Sequence, residues 1–499
     1  MTKNSLLTFS AVITSAMVLP VMAQQNANRL QTRYHAEAGG IVSSSSRTPF
    51  WLRANQYGVV PLSSPTGFLR LGTHATLRPD SSLNKKWSLG YGAEVVANGG
   101  RVSEALVPEA YVTGTLGKFY AYAGRRREVI GLGDSTLSSG FYAWSQNALP
   151  ITKVQIGTNG FVPLGFTKGL IAINALYAHG WFPATDSMRN SFLHQKALYG
   201  RLGKPNWKIK LYGGIVHNAQ WGGRSDFIPN HSRNGRLPSS FRDYLYVVSV
   251  RQPNTLVSDD FTAHDGMNRF GNHLGSIDLG IEWSGKFWNG LFYYQHAFED
   301  KSGTAFKNGA DGLFGLRLKN GSAGPVRGFR FRQLLVEYLT TKNQGGMTMN
   351  VGNRQFQGLD DYFNNFQYLD GWTRRRQTIG TPFITPRREV QADLQNPYVR
   401  PYSIWTLANN RVDMLHLALM GEFTSGLKVQ SRVSMSRNYG LYRVPFRTTE
   451  GQFSGMLGLT WPLRFLGGSE LQTAIAYDQG GLLPPSTGGW LSLRKSLGR

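Results

Sequence analysis

The chain of 499 residues contains no cysteine. This absence excludes a disulfide-stapled scaffold, a thiolate zinc site and a cysteine nucleophile. Acidic residues are also few, because 29 Asp and Glu stand against 54 Lys and Arg and leave a formal net charge of +25. Hydrophobic residues make up 41% of the chain and the mean hydropathy is −0.29, which excludes a polytopic helical membrane protein. The charge alone permits a soluble nucleic-acid binder.

The first 23 residues are typical of an export signal. Lys3 supplies a positive start, residues 6–19 are apolar apart from Thr and Ser, and Ala23 ends a small-x-small cleavage pattern. We therefore assign residues 1–23 to a signal peptide and expect cleavage near Ala23. The alternative is an N-terminal membrane anchor, for which the apolar stretch is short. An exported protein without cysteine fits the envelope of a bacterium with two membranes, and export disfavours nucleic acid as a partner.

Alternation of apolar and polar residues dominates the rest of the chain, and no later stretch approaches the 18 consecutive apolar residues of a membrane helix. In residues 87–95, Trp, Leu, Tyr, Ala and Val fall on one face, whereas Ser, Gly and Glu fall on the other. Residues 415–423 and 427–435 repeat this period of two, which is the period of a β-strand.

Such strands are found both in soluble sandwiches or propellers and in transmembrane barrels. Charges such as Lys428 and Arg432 on the polar faces, and aromatic residues at many strand ends, favour the barrel, whose polar side chains line the lumen. We predict an all-β fold, a closed antiparallel transmembrane β-barrel spanning residues 24–499. Division of the mature chain by about 25–30 residues per strand and connection gives 16 to 18 strands. A short N-terminal periplasmic or plug segment is expected at about 42–64, and long loops at about 221–242 and 342–402.

Three consecutive arginines, Arg125, Arg126 and Arg127, end a strand and lead into the glycine-rich residues 131–140. A phosphate-cradling loop is disfavoured because no P-loop Lys-Ser/Thr follows. Two readings stay open. The arginines form a basic patch in the lumen or at its rim that binds sugar acids or phosphates, or they pair with Glu128 and other lumen carboxylates and merely fill the barrel.

The long loop combines aromatic, amide and basic residues in two stretches, 360–365 and 371–376. Carbohydrate recognition uses such residues, since rings stack on sugar C–H groups while planar polar groups bond hydroxyls. The alternative, which we favour for most of the rings, is a small core that fixes the loop; Trp372 and the arginines beside it are the exceptions. The candidate glycan-binding residues are Arg125, Arg127, Asp134, Trp144, Asp361, Trp372, Arg374, Arg375 and Arg376.

Enzyme chemistry finds little support in the sequence. The neighbours Asp360 and Asp361 would point to opposite faces of an extended segment and could not flank one bond. The ten histidines are scattered, without metal-ligand spacing. We therefore expect no enzymatic activity, no metal and no cofactor; an outer-membrane hydrolase with Ser and His residues distant in the sequence is the disfavoured alternative.

The chain resembles the Wzi-like capsule assembly proteins of bacterial outer membranes. The matching residues are 48–58 (TPFWLRANQYG), 133–140 (GDSTLSSG), 145–150 (SQNALP), 360–362 (DDY), 371–373 (GWT) and 379–383 (IGTPF). Together they span most of the mature chain.

The resemblance implies an 18-stranded outer-membrane barrel that binds exopolysaccharide and helps hold capsule on the cell surface. It further implies a lectin-like rather than a catalytic role, and a barrel blocked by its own loops, here 342–402 and 221–242. Surface polysaccharide, outer-membrane lipid and lipopolysaccharide are the expected partners, and the protein is expected to be a monomer. The competing hypothesis is a porin-like channel for anionic solutes or oligosaccharides.

Overall fold

The computed structural model describes residues 30–78, 86–227, 233–256, 258, 260–322, 324–348, 350, 358–395 and 406–498. The predicted signal peptide, residues 1–23, lies outside this described part. The barrel strands are β1 (Leu30–Ser43), β2 (Thr66–Leu77), β3 (Trp87–Gly100), β4 (Glu104–Leu116), β5 (Phe119–Arg125), β6 (Thr152–Thr158), β7 (Ile171–Trp181), β8 (Phe192–Leu202), β9 (Ile209–Trp221), β10 (Asn272–Ser284), β11 (Trp288–Phe298), β12 (Gly312–Asn320), β13 (Phe329–Thr340), β14 (Val412–Phe423), β15 (Lys428–Gly440), β16 (Pro445–Leu463), β17 (Ser469–Gly480) and β18 (Ser486–Leu497).

These 18 strands form one antiparallel sheet in which each strand pairs with its neighbours in the chain. Strand β6 is interrupted and resumes at Val162–Pro163, which pairs with β7 as β6 does. The sheet closes because β1 pairs with β18, from Tyr34 opposite Leu497 to Ser43 opposite Gly488. The predicted closed antiparallel barrel is confirmed, at the upper end of the predicted strand number.

Side chains alternate across the barrel wall as the sequence pattern predicts. In β3, Leu89, Tyr91 and Val95 are exposed on the outer face, whereas Glu94 and Val96 point inward and are buried. An outer face of exposed apolar side chains is unfavourable in water and favourable against lipid. No helix in the described residues has the length and apolarity needed to cross a membrane.

The two ends of the barrel differ in the length of their connections. At the end that holds Leu30 and Leu497, which we call the turn end, connections such as 117–118 and 424–427 are short. At the opposite end, the loop end, residues 44–65, 126–151, 222–271 and 341–411 connect the strands. Outer-membrane barrels show this asymmetry, with short periplasmic turns and long outer loops.

The connections between the strands contain the remaining secondary structure of the described residues. The α-helices are α1 (Phe50–Arg53), α2 (Phe241–Ser249), α3 (Ala263–Met267) and α4 (Lys301–Thr304). Two short hairpins lie within 341–411: Thr373–Arg374 pairs with Gln377–Thr378, and Thr385–Pro386 pairs with Leu407–Asn409. Single 3-10 turns lie at Gly165–Thr167, Arg233–Gly235, Arg387–Glu389, Ala392–Leu394 and Arg464–Leu466.

Three of the long connections fold into the lumen and form what we call the plug. It consists of residues 44–65, residues 126–151 and the described parts of 341–411. Phe50 and Trp51 of α1 are buried there against Leu335 and Met414, which point inward from the wall. The predicted segment 42–64 overlaps the first of these connections and the predicted loop 342–402 overlaps the third. The barrel is therefore filled by its own loops, as the resemblance implies.

The predicted loop 221–242 does not enter the lumen, although the resemblance implies that it helps to block the barrel. Its described residues run along the rim, and the connection then places α2 on the outside of the wall instead of in the lumen. Tyr244 of α2 stacks on Trp221 with the ring centroids 5.0 Å apart, and Trp221 points outward because Val216, Asn218 and Gln220 of the same strand point inward. The lumen is already occupied, so the aromatic face of α2 packs on the aromatic outer face of β7 to β9.

Candidate functional site

The plug has an aromatic core of its own. Tyr142 makes edge contacts with Tyr362 and Phe363, with ring centroids 5.8 and 5.6 Å apart. Trp372 packs beside them and meets Phe182 at 6.2 Å. With 0% of Trp372 and 5% of Trp144 exposed, neither of these two predicted glycan-binding rings offers a face to a ligand in this structure. Trp372 therefore lies in the small core that fixes the loop, from which we excepted it, and Trp144 belongs to the same cluster.

Inward-facing side chains of the wall hold residues 126–151 in place. The Leu132 N–H donates to Oδ2 of Asp278 at 2.8 Å and the Tyr142 N–H to Oε1 of Gln295 at 2.9 Å. The Ser139 N–H donates to Oε2 of Glu337 at 2.6 Å. This segment contains no strand, so its backbone donors would be unsatisfied in the barrel without these acceptors. The contacts define one position for the segment.

The other two plug segments are joined by a buried ion pair. Nη2 of Arg53, at the end of α1, lies 2.7 Å from Oε2 of Glu389, and both side chains are about 5% exposed or less. The Phe50 N–H donates to Oδ2 of Asp478 on the wall at 2.6 Å. Helix α1 is thereby fixed both to the wall and to residues 387–389.

Asp134, another candidate residue, is a structural group in this conformation. It is buried, and its Oδ1 accepts from the N–H groups of Thr136 and Leu137 at 3.0 and 2.8 Å. Its Oδ2 lies 4.0 Å from Nη1 of Arg317 and 3.8 Å from Nζ of Lys319. The carboxylate thus caps a turn and faces two lumen cations.

The three consecutive arginines separate. Arg127 reaches down into the lumen, where it pairs with Glu94 and its guanidinium lies 5.1 Å from the ring centroid of Tyr57. Arg125 stays at the loop end, where its Nη1 donates to the carbonyl of Val107 at 2.7 Å. For Arg127 the structure supports the reading that lumen carboxylates and arginines fill the barrel. Arg125 belongs to the rim.

A hairpin with two arginines at its tip projects from the plug at the loop end. Arg375 and Arg376 connect the strands Thr373–Arg374 and Gln377–Thr378, and both have positive φ, 52° and 61°. Non-glycine residues at positive φ in such a turn cost free energy and are enriched at functional sites. Their side chains are 51% and 65% exposed. We call residues 373–378 the arginine hairpin.

The arginine hairpin lies in a basic surface. Arg375 pairs with Glu104, and Nη2 of Arg376 lies 3.7 Å from Oδ2 of the exposed Asp186. Arg374 is buried and donates to the carbonyl of Pro150. Burial, followed by the neighbouring guanidinium groups of Arg125 and Arg375, lowers the pKa of Arg374. The structure therefore brings four predicted residues together, Arg125 and Arg374 to Arg376.

Arg388 joins this surface although the sequence does not single it out. Burial lowers its pKa, Glu389 opposes that shift, and the charges of Arg53, Arg376 and Arg375 lower it further. Those interactions place Arg388 among the arginines. No sequence signal identifies it, because its neighbours come from α1 and from the hairpin rather than from adjacent residues.

A second polar surface is a cavity of about 120 Å³ at the loop end, on the β10–β11 side of the plug. Asp360, Asp361, Asn364, Asn365, Arg269 and Arg443 are among its lining residues. Asp361 is 6% exposed; its Oδ1 accepts from Nδ2 of Asn410 at 2.7 Å and Nδ2 of Asn364 at 3.2 Å. Among the described residues, no group forms a hydrogen bond with its Oδ2. A buried acceptor facing a polar cavity is suited to a hydroxyl donor.

Burial raises the pKa of two carboxyl groups that line this cavity, Asp360 and Glu299. Burial raises the pKa of Asp360 well above its ordinary value, and the charge of Asp300 raises it further. Burial likewise raises the pKa of Glu299, and Asp360 and Asp361 add to the shift. Among the described residues, no group of three or more His, Asp or Glu side chains is placed to hold a metal ion. The cavity is lined by carboxyl, amide and guanidinium groups.

No protein-family model matches the chain, and no curated protein matches it in sequence. Wzi of Escherichia coli, an outer-membrane protein involved in group 1 capsule assembly and described as a carbohydrate-binding β-barrel, is similar in structure. The TM-score is 0.57 at 12% identity, over 93% of this chain and 84% of Wzi. A BenF-like porin from Pseudomonas fluorescens gives 0.46 at 8% identity, over 95% and 99% of the two chains. OccD3 of Pseudomonas aeruginosa gives 0.45 at 8%, over 97% and 96%. The predicted resemblance is confirmed at the level of a Wzi-like fold, and family membership stays a prediction.

Proposed function

We propose that this protein binds polysaccharide at the cell surface through the loop end of its plugged outer-membrane barrel, and that it helps assemble or anchor capsule without changing the glycan chemically. The observation that carries the proposal is the plug, which fills the lumen and presents the arginine hairpin and the Asp361 cavity at one end. Wzi of Escherichia coli, which shares the fold, is described as carbohydrate-binding, and the same activity is proposed here.

The plug favours binding over passage. Asp278, Gln295 and Glu337 tie residues 126–151 to the wall, and Asp478 ties residues 44–65 to it. The third segment is joined to residues 44–65 by the Arg53–Glu389 ion pair. A porin-like route for anionic solutes or oligosaccharides, the competing hypothesis, requires these contacts to break. A static surface at the loop end requires no such movement.

The positive charge of the arginine hairpin favours a negatively charged glycan as the ligand. Guanidinium groups recognise carboxylates and phosphates through paired hydrogen bonds. Arg375 lies near the part-exposed carboxylate of Glu104, and Arg376 lies near the exposed carboxylate of Asp186. An acidic group of a glycan can replace either carboxylate as the partner of the guanidinium. The expected ligand is therefore a polysaccharide with uronic acid, sialic acid or phosphate groups.

The test is retention of the organism's own surface polysaccharide by the purified protein. Replacing Arg375 and Arg376 together by alanine should weaken binding and reduce its dependence on salt, because two charge-assisted contacts are lost. Lys168→Ala with Arg464→Ala removes the same charge from exposed turn-end positions and should leave binding unchanged. Equal affinity of the hairpin variant and the wild type would move the glycan site elsewhere.

Single-channel recording separates the two hypotheses. A plugged barrel should remain silent in a planar bilayer, whereas a porin-like lumen conducts steadily. Steady conductance of the wild-type protein, selective for anions, would support the channel and contradict a static plug.

A further inference from the structure

Helix α2 is capped at both ends. Its first turn carries a capping box, in which the Asp243 N–H donates to Oγ of Ser240 at 3.2 Å and the Ser240 N–H donates to Oδ2 of Asp243 at 2.8 Å. At the other end, Val250 adopts the left-handed conformation and Lys196 of the wall donates to the carbonyl of Val248. A wall cation at the C-terminal carbonyls is favourable.

One face of α2 is fixed to the outside of the barrel. Besides its stacking on Trp221, Tyr244 places its hydroxyl 2.7 Å from the hydroxyl of Tyr177 on β7. Val247 is buried in the same cluster as Ala219 of β9. Tyr177, Trp221 and Ala219 all belong to the outer face of their strands, so the helix is held against the surface that elsewhere faces lipid.

The exposed side of α2, away from the buried Val247, carries two large apolar side chains. Phe241 is 76% exposed and Leu245 is 52% exposed. Residues four apart are neighbours on a helix surface, so these two side chains form one patch that points away from the barrel. In water such a patch is unfavourable.

The patch is continuous with the lipid-facing band of the wall. Leu198, an exposed outward residue of β8, lies two residues beyond Lys196, which holds the end of the helix. Ile215 of β9 and Tyr177 of β7 are exposed on the same face. The band thus runs directly up to the helix, which sits on its loop-end border.

Basic side chains flank the patch. Arg242 follows Phe241, Arg251 follows the helix, and both are exposed. The acidic residue of the helix, Asp243, is engaged in the capping box. Apolar side chains beside cations on a helix that lies in the interface plane are typical of segments that bind anionic lipid surfaces.

We propose that α2 is an interfacial anchor for the outer leaflet: Phe241 and Leu245 insert at the headgroup–acyl boundary, and Arg242 and Arg251 bind the phosphates of lipid A. The anchor fixes the height and tilt of the barrel in the membrane on the β7–β10 side. It is distinct from the proposed glycan-binding surface, since the ion pairs of Arg375 and Arg376 are with Glu104 and Asp186 and not with residues of α2.

The absence of cysteine makes the test direct, because one introduced cysteine is the only labelling site. The full chain carrying Phe241→Cys or Leu245→Cys is labelled with an environment-sensitive fluorophore and reconstituted into phosphatidylcholine vesicles with or without lipid A. Phe227→Cys, an exposed rim position, is the water-facing control, and Leu198→Cys is the lipid-facing control.

Labels at 241 and 245 should be quenched by brominated phosphatidylcholine as at 198, and severalfold less by iodide than at 227. Lipid A should deepen this protection, and the added protection should disappear when Arg242 and Arg251 are both replaced by Gln. Iodide quenching equal to that at 227 would overturn the anchor. Protection that depends on protein concentration would overturn it as well, since a second copy of the chain would then cover the patch. Equal protection with and without lipid A would overturn the phosphate contacts.

Discussion

Replacing Trp372 by alanine tests whether the aromatic core of the plug keeps the lumen blocked. The indole of Trp372 is wholly buried between the hairpin and the wall. The Trp372 N–H donates to the carbonyl of Phe363 at 2.9 Å, and the Trp372 carbonyl accepts from the N–H of Ile379 at 3.0 Å. Truncating a buried tryptophan costs about 3–5 kcal/mol. Because each ~1.4 kcal/mol is tenfold in an equilibrium, the open form of this plug segment should become more populated by a factor of about 100 to several thousand.

The assays are amide hydrogen exchange of residues 358–384 and conductance in a planar bilayer. Trp372→Ala should lose exchange protection in the plug and show brief openings, while Trp372→Phe, which keeps most of the volume, should stay close to the wild type. The strands should stay protected in both variants, which shows that the barrel has folded. Unchanged protection and complete silence of the alanine variant would refute the view that this aromatic core holds the plug.

Two further predictions concern the plug and helix α3. Arg53→Met should destabilise the plug by about 3–5 kcal/mol because it leaves Glu389 buried without its partner, and the double variant with Glu389→Leu should recover much of that loss; urea titrations of both variants measure this. Burial raises the pKa of Asp265, in α3, from 3.8 to about 7. The contribution of Asp265 to stability is therefore fully present below pH 3.8, falls as the pH rises, and is lost above about pH 7. Asp265→Asn should remove the difference in thermal unfolding between about pH 5 and about pH 8, and an unchanged difference would assign the titration to other groups.

Strand residues are the part of this structure that the sequence predicts best. In β3 and β15 successive side chains face lipid and lumen in turn. The alternation alone therefore places Leu89 on the outside of the barrel and Glu94 and Arg432 on the inside. The count of 18 strands follows less directly, since β6 is interrupted and connection lengths vary from 2 residues to several tens. An average length per strand and connection therefore predicts only a range of strand numbers.

The loops were harder to predict because they have no period that fixes the direction of a side chain. Residues 126–151 are held by Asp278, Gln295 and Glu337, which are distant in the sequence from the donors they bind. The same holds for Trp144 and Trp372, whose burial depends on contacts across the lumen. The arginines at 375 and 376 remain exposed because a hairpin tip cannot enter a filled barrel. The exposure of a candidate residue is thus predictable at a hairpin tip and unpredictable in the plug.

The most direct test of surface-polysaccharide retention is the fraction of polysaccharide that stays attached to cells. In cells lacking this protein, expression of the wild type should restore attachment, the Arg375→Ala/Arg376→Ala variant should leave more polysaccharide in the medium, and Lys168→Ala/Arg464→Ala should behave as the wild type. Equal attachment with and without the protein would contradict the proposed function.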